Sequence, residues 1–293
     1  LVIIADNGST EQDLIGIQQG KIHAMDFIVV DHHPFEKDVI TQEVLVHINP
    51  FLVNENGSAF SAGMLCTELA RFISEVKNVS QIPAMAGIAD RIDLANKKAV
   101  DDYIKIAETE GYSRKLLENI ATVIDFVSAK LRFMEAREYI EVVFGEPRER
   151  QKALVDLLAP HIKNLEAKGL EIAKAAARTE KIGKTNLQEL FIEESFPGFG
   201  FYPKPGKCVS MIHDFQQEKT KNLVTIGVMS SALTIRATDE ANFSLSELIL
   251  FLHKKIPDAF VEGGGHKNAG SINFVPGRQK EVLKYFKEFV KNR

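Results

Sequence analysis

The sequence predicts an α/β protein in which a parallel-sheet domain and a smaller mixed-sheet domain are joined by a helical connector. Residues 1–100 alternate short apolar runs with helical patterns, which is typical of a parallel α/β sheet. Residues 101–185 contain long helical patterns, and residues 186–293 return to strands and amphipathic helices. The 293 residues, 45% of them hydrophobic, are sufficient for two domains.

The composition restricts the possible partners. The net charge of −4 shows no overall basic excess, so contact with a nucleic acid would have to come from a local groove. Cys66 and Cys208 lie far apart, and we interpret both as buried free thiols in a reducing compartment, which predicts a cytoplasmic protein. No run approaches the ~18 apolar residues that cross a bilayer, so we expect no membrane partner.

Three apolar runs in the first domain predict neighbouring strands: LVIIAD (1–6), MDFIVVDHH (25–33) and EVLVHINP (43–50). The first run ends at Asp6, and the second ends at Asp31-His32-His33. Ligands bind at the carboxyl ends of the strands in open parallel sheets, and carboxylate with imidazole suits Mn²⁺, Fe²⁺ or Zn²⁺ better than Ca²⁺. The alternative is that these side chains only form solvated turns and helix caps.

Helical patterns follow the predicted strands of this domain. In STEQDLIGIQQGK, Ser9 or Thr10 pairs with Gln12 or Asp13 as a capping box at the start of a short helix. SAFSAGMLCTELARFISEV has apolar residues at helical spacing, and IPAMAGIADRIDL predicts a further helix. Asp90, at the end of that helix, is another candidate metal ligand; its alternative role is a helix-end charge paired with Arg91.

The connector is predicted from LLENIATVIDFVSAKL and from the long pattern 151–183, with Pro147 and Pro160 as interruptions. The alanine-rich and charged EAKGLEIAKAAARTEK predicts an exposed connecting helix. We interpret the basic stretches 132–137 and 253–255 as solvated helix faces.

The second domain contains a glycine-rich segment, VEGGGHKNAGSINF (261–274), among predicted strands and helices. Three glycines beside His266 and Asn268 predict a loop that holds a phosphate, because glycine lets the backbone N–H groups approach an anion closely. The alternative is a flexible glycine loop with a nearby charge. Arg236 lies in the predicted strand ALTIRATD, where an arginine is usually solvated or ion-paired.

These motifs resemble those of a known family. VVDHHPF followed by VHINP resembles the signature of the DHH phosphoesterase superfamily, and VEGGGHKNAGS resembles the glycine-rich motif of its DHH-associated C-terminal domain. IADNGS and GIADRID resemble the family's flanking aspartate motifs, so the resemblance covers nearly the whole chain. Within the family the chain looks most like an archaeal, helicase-associated RecJ-like nuclease.

The resemblance implies roles for the candidate residues of the first domain. Residues 1–100 would be the DHH catalytic domain and 101–185 its helical connector. Asp6 would bridge two divalent metal ions, usually Mn²⁺ with Mg²⁺ as the alternative, and His32 and Asp90 would complete the second metal site. His33 would act on the scissile phosphate as a proton donor or ligand, and Asp31 would orient a histidine.

The same resemblance makes residues 186–293 a DHH-associated domain that binds the substrate's phosphates. The residues implied are Arg236, Gly264, Gly265, His266 and Asn268. The implied activity is metal-dependent phosphodiester hydrolysis, as a single-strand exonuclease on DNA or RNA in replication, repair or RNA processing. A helicase or another replication or repair protein is the implied partner.

The chain departs from the family pattern at its start. The family's first motif, a strand followed by Asp and His ligands, would lie before Leu1, and the chain opens within a strand pattern. We therefore expect an N-terminal truncation and an active enzyme only at full length. The alternatives are a phosphatase for oligonucleotides, cyclic dinucleotides or 3′-phosphoadenosine phosphate, and a non-catalytic scaffold of a replication or repair complex.

Overall fold

The computed structural model describes residues 1–75, 79–130, 148–197 and 202–293. The chain forms two compact units, Leu1–Pro160 and His161–Arg293, each built from strands and helices. The predicted α/β class is therefore confirmed. The division falls inside the predicted connector, whose limits remain a prediction. Among the described residues, no helix is both long enough and apolar enough to span a membrane.

The first unit is organised around a parallel sheet in the order β1-β2-β3. Its strands are β1 (Val2–Ala5), β2 (Phe27–Val30) and β3 (Val46–Ile48). Its helices are α1 (Glu11–Ile22), α2 (Ala62–Ile73), α3 (Gln81–Ala89), α4 (Asp93–Thr109), α5 (Arg114–Lys130) and the start of α6 (Arg148–Ala176). The sheet and its strand ends thus match the prediction from the apolar runs.

The middle strand β2 carries the core of this sheet. Phe27 and Val29 point to one face and pack with Ile17 of α1 and with Ile40, whereas Val30 is buried on the other face. Burial on both faces explains the continuous apolar run, because a strand that is covered on one side only would alternate. At the start of α1 the N–H of Thr10 donates to the carboxylate of Asp13 at 2.9 Å, which selects this pair among the predicted capping boxes.

The second unit contains a mixed sheet in the order β4-β5-β6-β7-β9-β8, in which only β5 and β6 pair in parallel. Its strands are β4 (Arg178–Ile182), β5 (Thr185–Phe191), β6 (Leu223–Val228), β7 (Ala232–Ala237), β8 (Glu262–His266) and β9 (Ala269–Asn273). Its helices, after the end of α6, are α7 (Ile192–Ser195), α8 (Pro205–Gln217), α9 (Leu245–Lys255) and α10 (Gln279–Lys291). The predicted mixed sheet is confirmed.

The two faces of this sheet differ in chemistry. One face packs an apolar core against α9 and α10, in which the rings of Phe243 and Phe286 lie 6.1 Å apart. The other face packs against α8 and carries buried polar side chains, among them Gln188 and Thr225. The same face also packs an apolar cluster, in which Leu190 of β5 lies with Val209 and Ile212 of α8, and the buried polar side chains are paired with one another, since they would be costly otherwise.

Several predictions for the connector were wrong. Pro160 does not interrupt the helical pattern but lies inside α6. The predicted exposed helix over 166–181 ends at Ala176, its Ala173 is fully buried, and Arg178–Ile182 forms the edge strand β4. Charged residues are common on edge strands because they oppose pairing with other chains. The same charged composition is also typical of an exposed helix, which explains the wrong prediction. Pro147 and the stretch 132–137 lie outside the described residues.

The predicted burial of the two free thiols was correct for only one of them. Cys208 is buried in the second unit, whereas Cys66 on α2 is only partly buried. Burial raises the pKa of the Cys208 thiol to about 12, so this cysteine behaves as a small apolar side chain.

The aromatic core of the second unit is expected to dominate its stability. Phe286 is 0% exposed, and Phe286→Ala would leave a cavity, so we expect the free energy of unfolding to fall by about 3–5 kcal/mol. Urea unfolding followed by circular dichroism measures the loss. The matched control is Phe260→Ala in the same unit, where the ring is 71% exposed and the loss should be below about 1 kcal/mol. Equal losses for the two variants would contradict this description of the core.

Candidate functional site

The carboxyl ends of β1 and β2 place two predicted site residues, Asp6 and Asp31, at the same edge of the parallel sheet. The N–H of Asp6 donates to the carbonyl of Val30 at 2.9 Å, and the N–H of Asp31 donates to the carbonyl of Ile48 at 2.9 Å. Asp6 adopts φ 63°, a left-handed conformation that aspartate tolerates better than most residues. The parallel register therefore continues into the polar residues and brings both carboxylates to one place.

His32 lies between two carboxylates. Its Nε2 is 3.2 Å from Oδ1 of Asp6 and 3.5 Å from Oδ2 of Asp90, which follows α3. Its Nδ1 lies 2.6 Å from the carbonyl oxygen of Phe60 and 3.2 Å from that of Gly57. Because a carbonyl only accepts hydrogen bonds, Nδ1 carries a proton, and Nε2 is directed at the two carboxylates. The structure thus brings together all three residues that were predicted to bind metal.

Gly57 allows this placement of His32. A Cβ atom at position 57 would lie 2.1 Å from the carbonyl oxygen of His32, a distance that no side chain can adopt. The backbone around Gly57 therefore approaches the histidine more closely than any other residue would permit. This contact fixes the imidazole at the strand end, where it is 1% exposed.

The charges around His32 favour its protonated form in the absence of a metal ion. Burial alone would lower its pKa, but the hydrogen bond with Asp6 and the negative charge of Asp90 raise the pKa of His32 to about 9. Burial and the charge of Asp6 raise the pKa of Asp90, although His32 opposes the shift. Two carboxylates around one buried imidazole therefore require a positive charge between them, either a proton or a cation.

Asp31 holds His33 in place. Oδ1 of Asp31 accepts from Nδ1 of His33 at 2.8 Å and from the backbone N–H groups of His32 and His33 at 2.8 and 3.2 Å. Burial alone would raise the pKa of Asp31, but the hydrogen bonds from His33 and the proximity of Ser9 lower it to about 2. Asp6, Asp31 and His33 also offer ligand atoms within 4.8 Å of one another. The contact agrees with the predicted role of Asp31 in orienting a histidine.

In the second unit the structure brings Arg236 and His266 onto one face of the mixed sheet. Arg236 of β7 pairs with Ala269 of β9, and Ala269 pairs with His266 of β8. Paired residues share a face, and neighbouring strands are about 4.8 Å apart, so the two side chains start about 10 Å from each other. Gly264 lies on the same face, two residues before His266.

The guanidinium of Arg236 is fixed by its neighbours. Nε donates to the hydroxyl of Ser210 on α8 at 3.0 Å, and Nη1 donates to the carbonyl of Ile235 at 2.8 Å. The Ser210 hydroxyl donates in turn to the carbonyl of Gly206 at 2.9 Å. An arginine fixed in this way loses little conformational entropy when it binds a phosphate.

The glycine-rich segment is not the predicted loop, because Gly263–Gly265 lie in strand β8 and pair with β9. Gly265 has φ 139°, and a Cβ there would lie 2.4 Å from the carbonyl oxygen of Ala269, so pairing requires glycine at this position. At Gly264, by contrast, nothing lies within 4 Å of a Cβ position. The packing of the strand therefore does not explain Gly264, whereas the close approach of a ligand would.

Asn268, the remaining predicted phosphate ligand, lies between β8 and β9. Its Nδ2 donates to the carboxylate of Asp239, and its backbone carbonyl accepts from the N–H of Ala237. These contacts tie the hairpin to the end of β7, so Asn268 has a structural role whether or not it also binds a ligand.

Three further polar residues around Asp31 were not predicted as site residues from the sequence. Ser9 and Asn49 are buried, the side chain of His47 is 0% exposed, and Ser9 forms hydrogen bonds with both of the others. His47 and Asn49 lie in VHINP at the carboxyl end of β3, so the argument that identified Asp6 and Asp31 also applies to this third strand end.

Comparison with known proteins agrees with the fold and the motifs. No protein-family model matches the chain. A solved structure of a DHH domain, described as part of a member of a family of ribosomal proteins, is 32% identical with a TM-score of 0.87 over 99% of this chain and 69% of the solved chain. The chain belongs to the DHH phosphoesterase superfamily.

Other members share the sequence or the fold. An uncharacterised protein of Methanocaldococcus jannaschii is 30% identical over 322 aligned residues, which span all of this chain and 42% of that protein. RecJ of Thermus thermophilus, solved with Mn²⁺, is 19% identical with a TM-score of 0.60 over 99% of this chain and 45% of RecJ. The chain thus has a RecJ-like fold and spans less than half of the curated relative it matches.

The pKa of Asp31 predicts an acid-dependent loss of stability. Its pKa is about 2 in the folded protein against an ordinary 3.8, so this contribution is complete above pH ~4 and is lost as the pH falls towards 2. The shift corresponds to about 2 kcal/mol. Urea unfolding between pH 2 and pH 7 should therefore show a smaller pH dependence in Asp31→Asn. The exposed Asp26→Asn is the control, and an unchanged profile in Asp31→Asn would contradict the assignment.

Metal binding should displace the proton of His32. Because the pKa of His32 is about 9, the group is protonated at pH 7.5, and a metal ion at Nε2 must release about one proton. Isothermal titration calorimetry with Mn²⁺ in buffers of different ionisation enthalpy measures this release, and affinity should rise with pH up to about 9. The release should disappear in His32→Gln and persist in the exposed His23→Gln. Binding without proton release would place the ion elsewhere.

Proposed function

We propose that the protein, in its full encoded length, is a divalent-metal-dependent phosphodiesterase that degrades single-stranded nucleic acid from an end. The observation that carries this proposal is the convergence of Asp6, His32 and Asp90 at the carboxyl edge of the parallel sheet. The second unit supports it, because Arg236 and His266 share a face suited to phosphate groups.

The residues of the first unit fit a divalent metal ion. Two carboxylates and an imidazole suit Mn²⁺ better than Ca²⁺, and Mg²⁺ accepts the same carboxylates. Nδ1 of His32 donates to the carbonyl of Phe60, the kind of outer contact that orients metal-bound histidines. Asp6, His32 and Asp90 would hold the ion. When bound, a divalent ion lowers the pKa of a coordinated water and polarises a phosphate.

We assign proton transfer to His33. Asp31 accepts the Nδ1 hydrogen bond and so fixes the orientation of the ring. The ring centroids of His32 and His33 are 4.6 Å apart, which places the second imidazole beside the metal-binding residues. From there His33 would donate a proton to a phosphate oxygen or to the leaving group, a contribution of about 10²–10⁴-fold in rate.

Arg236 and His266 would bind phosphates of the substrate chain. The Arg236 guanidinium presents a planar set of donors that matches a phosphate, and Ser210 fixes its orientation. Ala269 lies between the two side chains, and the neighbouring row of the face holds Thr234, Ser271 and Gly264, which are small enough to leave room for a sugar–phosphate backbone. Such contacts are independent of sequence, as a processive exonuclease requires.

The choice of a single-strand exonuclease rests on the likeness to RecJ and on the long helices α4, α5 and α6, which separate the two sheets along the chain. We propose single-stranded DNA or RNA as the substrate. A helicase or another replication or repair protein is proposed as partner from the family resemblance alone. A phosphatase for small nucleotides and a non-catalytic scaffold are the competing outcomes of the experiment below.

The deciding experiment incubates the protein of full encoded length with Mn²⁺ and a 5′-labelled single strand, as DNA and as RNA. We expect a ladder of products whose pattern gives the polarity of cleavage. The double variant His32→Ala, His33→Ala should lose at least about 100-fold in rate, since it lacks a predicted metal ligand and the proton donor. His23→Gln is the control for a histidine outside the site.

Three outcomes separate the hypotheses. Undiminished cleavage by the double variant would reject the site. Hydrolysis of dinucleotides without degradation of long strands would favour the small-nucleotide phosphatase. No activity on any of the substrates would favour the scaffold.

A further inference from the structure

Ser9 is a fully buried hydroxyl at the edge of the metal-binding residues. Its Oγ lies 3.0 Å from Nδ2 of Asn49 and 3.0 Å from Nε2 of His47, and the residue is 0% exposed. Ser9 also lies close enough to Asp31 to help lower the pKa of that carboxyl. Asn49, His47 and Asp31 therefore surround the Ser9 hydroxyl, which can donate one hydrogen bond and accept two.

The contact with Asn49 has a defined direction. Oδ1 of Asn49 accepts from the N–H of Phe51 at 3.0 Å, which fixes the amide so that Nδ2 faces inwards. Nδ2 then donates to Ser9 and to the carbonyl of His33, both at 3.0 Å. One acceptor position of the Ser9 oxygen is therefore filled by Asn49.

The direction of the second contact depends on the tautomer of His47. Its other nitrogen, Nδ1, lies 2.8 Å from the hydroxyl of Thr41, which donates or accepts, and 3.7 Å from Oδ1 of Asp38. If Nε2 carries the proton, His47 donates to Ser9 and fills its second acceptor position. If Nε2 carries no proton, the Ser9 hydroxyl must donate to His47 instead.

The state of Asp31 distinguishes these two arrangements. Among the described residues, the buried Oδ2 of Asp31 accepts no hydrogen bond, whereas Oδ1 already accepts three. A buried carboxylate oxygen without a donor is costly, and the Ser9 hydroxyl is the donor at hand. With Nε2 of His47 protonated, the only direction left for the Ser9 proton is towards Asp31.

We propose that His47 is a positioning residue, which with Asn49 directs the Ser9 proton to Asp31 and so holds Asp31 and His33 in place. The hydrogen-bond arrangement stands independently of the activity, whereas its effect on catalysis rests on the proposed function. The residues that carry it come from all three strand ends: Ser9 after β1, Asp31 after β2, and His47 and Asn49 at β3. The Ser9 hydroxyl thereby connects the ends of the three strands.

The first test uses no substrate and no metal. Nitrogen-15 NMR of histidine-labelled protein reports which ring nitrogen of His47 carries the proton, and the signal is assigned by its loss in His47→Gln. We expect a proton on Nε2, in the neutral or the cationic ring. A proton on Nδ1 alone would overturn the proposal, because Ser9 would then donate to His47 and leave Oδ2 of Asp31 to a cation.

The second test uses matched variants of the same residue. The glutamine amide of His47→Gln reaches the position of Nε2 and retains a donor for Ser9, whereas the shorter side chain of His47→Asn does not. We expect His47→Gln to keep kcat within about threefold, and His47→Asn and Ser9→Ala to lose about 10–100-fold in kcat with KM unchanged, as is typical of outer contacts of a catalytic group.

The controls separate the two proposals. Melting temperatures identify any variant that loses activity by unfolding, and His23→Gln should behave as the wild-type protein. Equal kcat values for His47→Gln and His47→Asn in folded protein would overturn the positioning role. If the wild-type protein degrades no nucleic acid, the proposed function fails, and the NMR experiment alone still decides the arrangement.

Discussion

The parallel pairing of β1, β2 and β3 is the constraint on which the rest of the site depends. Their hydrogen bonds continue one residue beyond the strands, through the N–H groups of Asp6 and Asp31. A slip of one residue would turn the buried valines of β2 to the other face and carry Asp31 and His32 away from the edge. The apolar core of the sheet therefore stabilises the register that assembles the polar site.

The polar site in turn has an electrostatic cost, which the packing of the sheet does not remove. Asp6 and Asp90 face the same buried imidazole, and Asp31 lies one residue away along the chain. Burial and the charge of Asp6 raise the pKa of Asp90, which shows that the carboxylates destabilise one another. A proton on His32 relieves part of this repulsion. A divalent cation would relieve more of it, and the arrangement is therefore better suited to a bound ion than to the protein alone.

The sequence predicts those parts of the fold and site that depend on local pattern. The strand ends at Asp6 and Asp31 follow from apolar runs, and the capping pair at Thr10 follows from spacing. Pairing partners are not local, so Gly263–Gly265 were predicted as a loop although they form a strand with β9. Ser9 and His47 were not predicted as site residues, because the contact between them spans 38 residues of sequence.

The two adjacent histidines differ in the partners that hold their rings. Both are held through Nδ1, but His32 donates to a neutral carbonyl, whereas His33 donates to the carboxylate of Asp31. The carbonyl fixes the ring of His32 without adding charge, so the charge at its Nε2 is set by Asp6 and Asp90, as a metal ligand requires. The carboxylate fixes the ring of His33 through a charged partner, which suits the proposed proton donor. Asp31 thus makes the second histidine different from the first, and the Ser9 hydroxyl extends this control to the third strand.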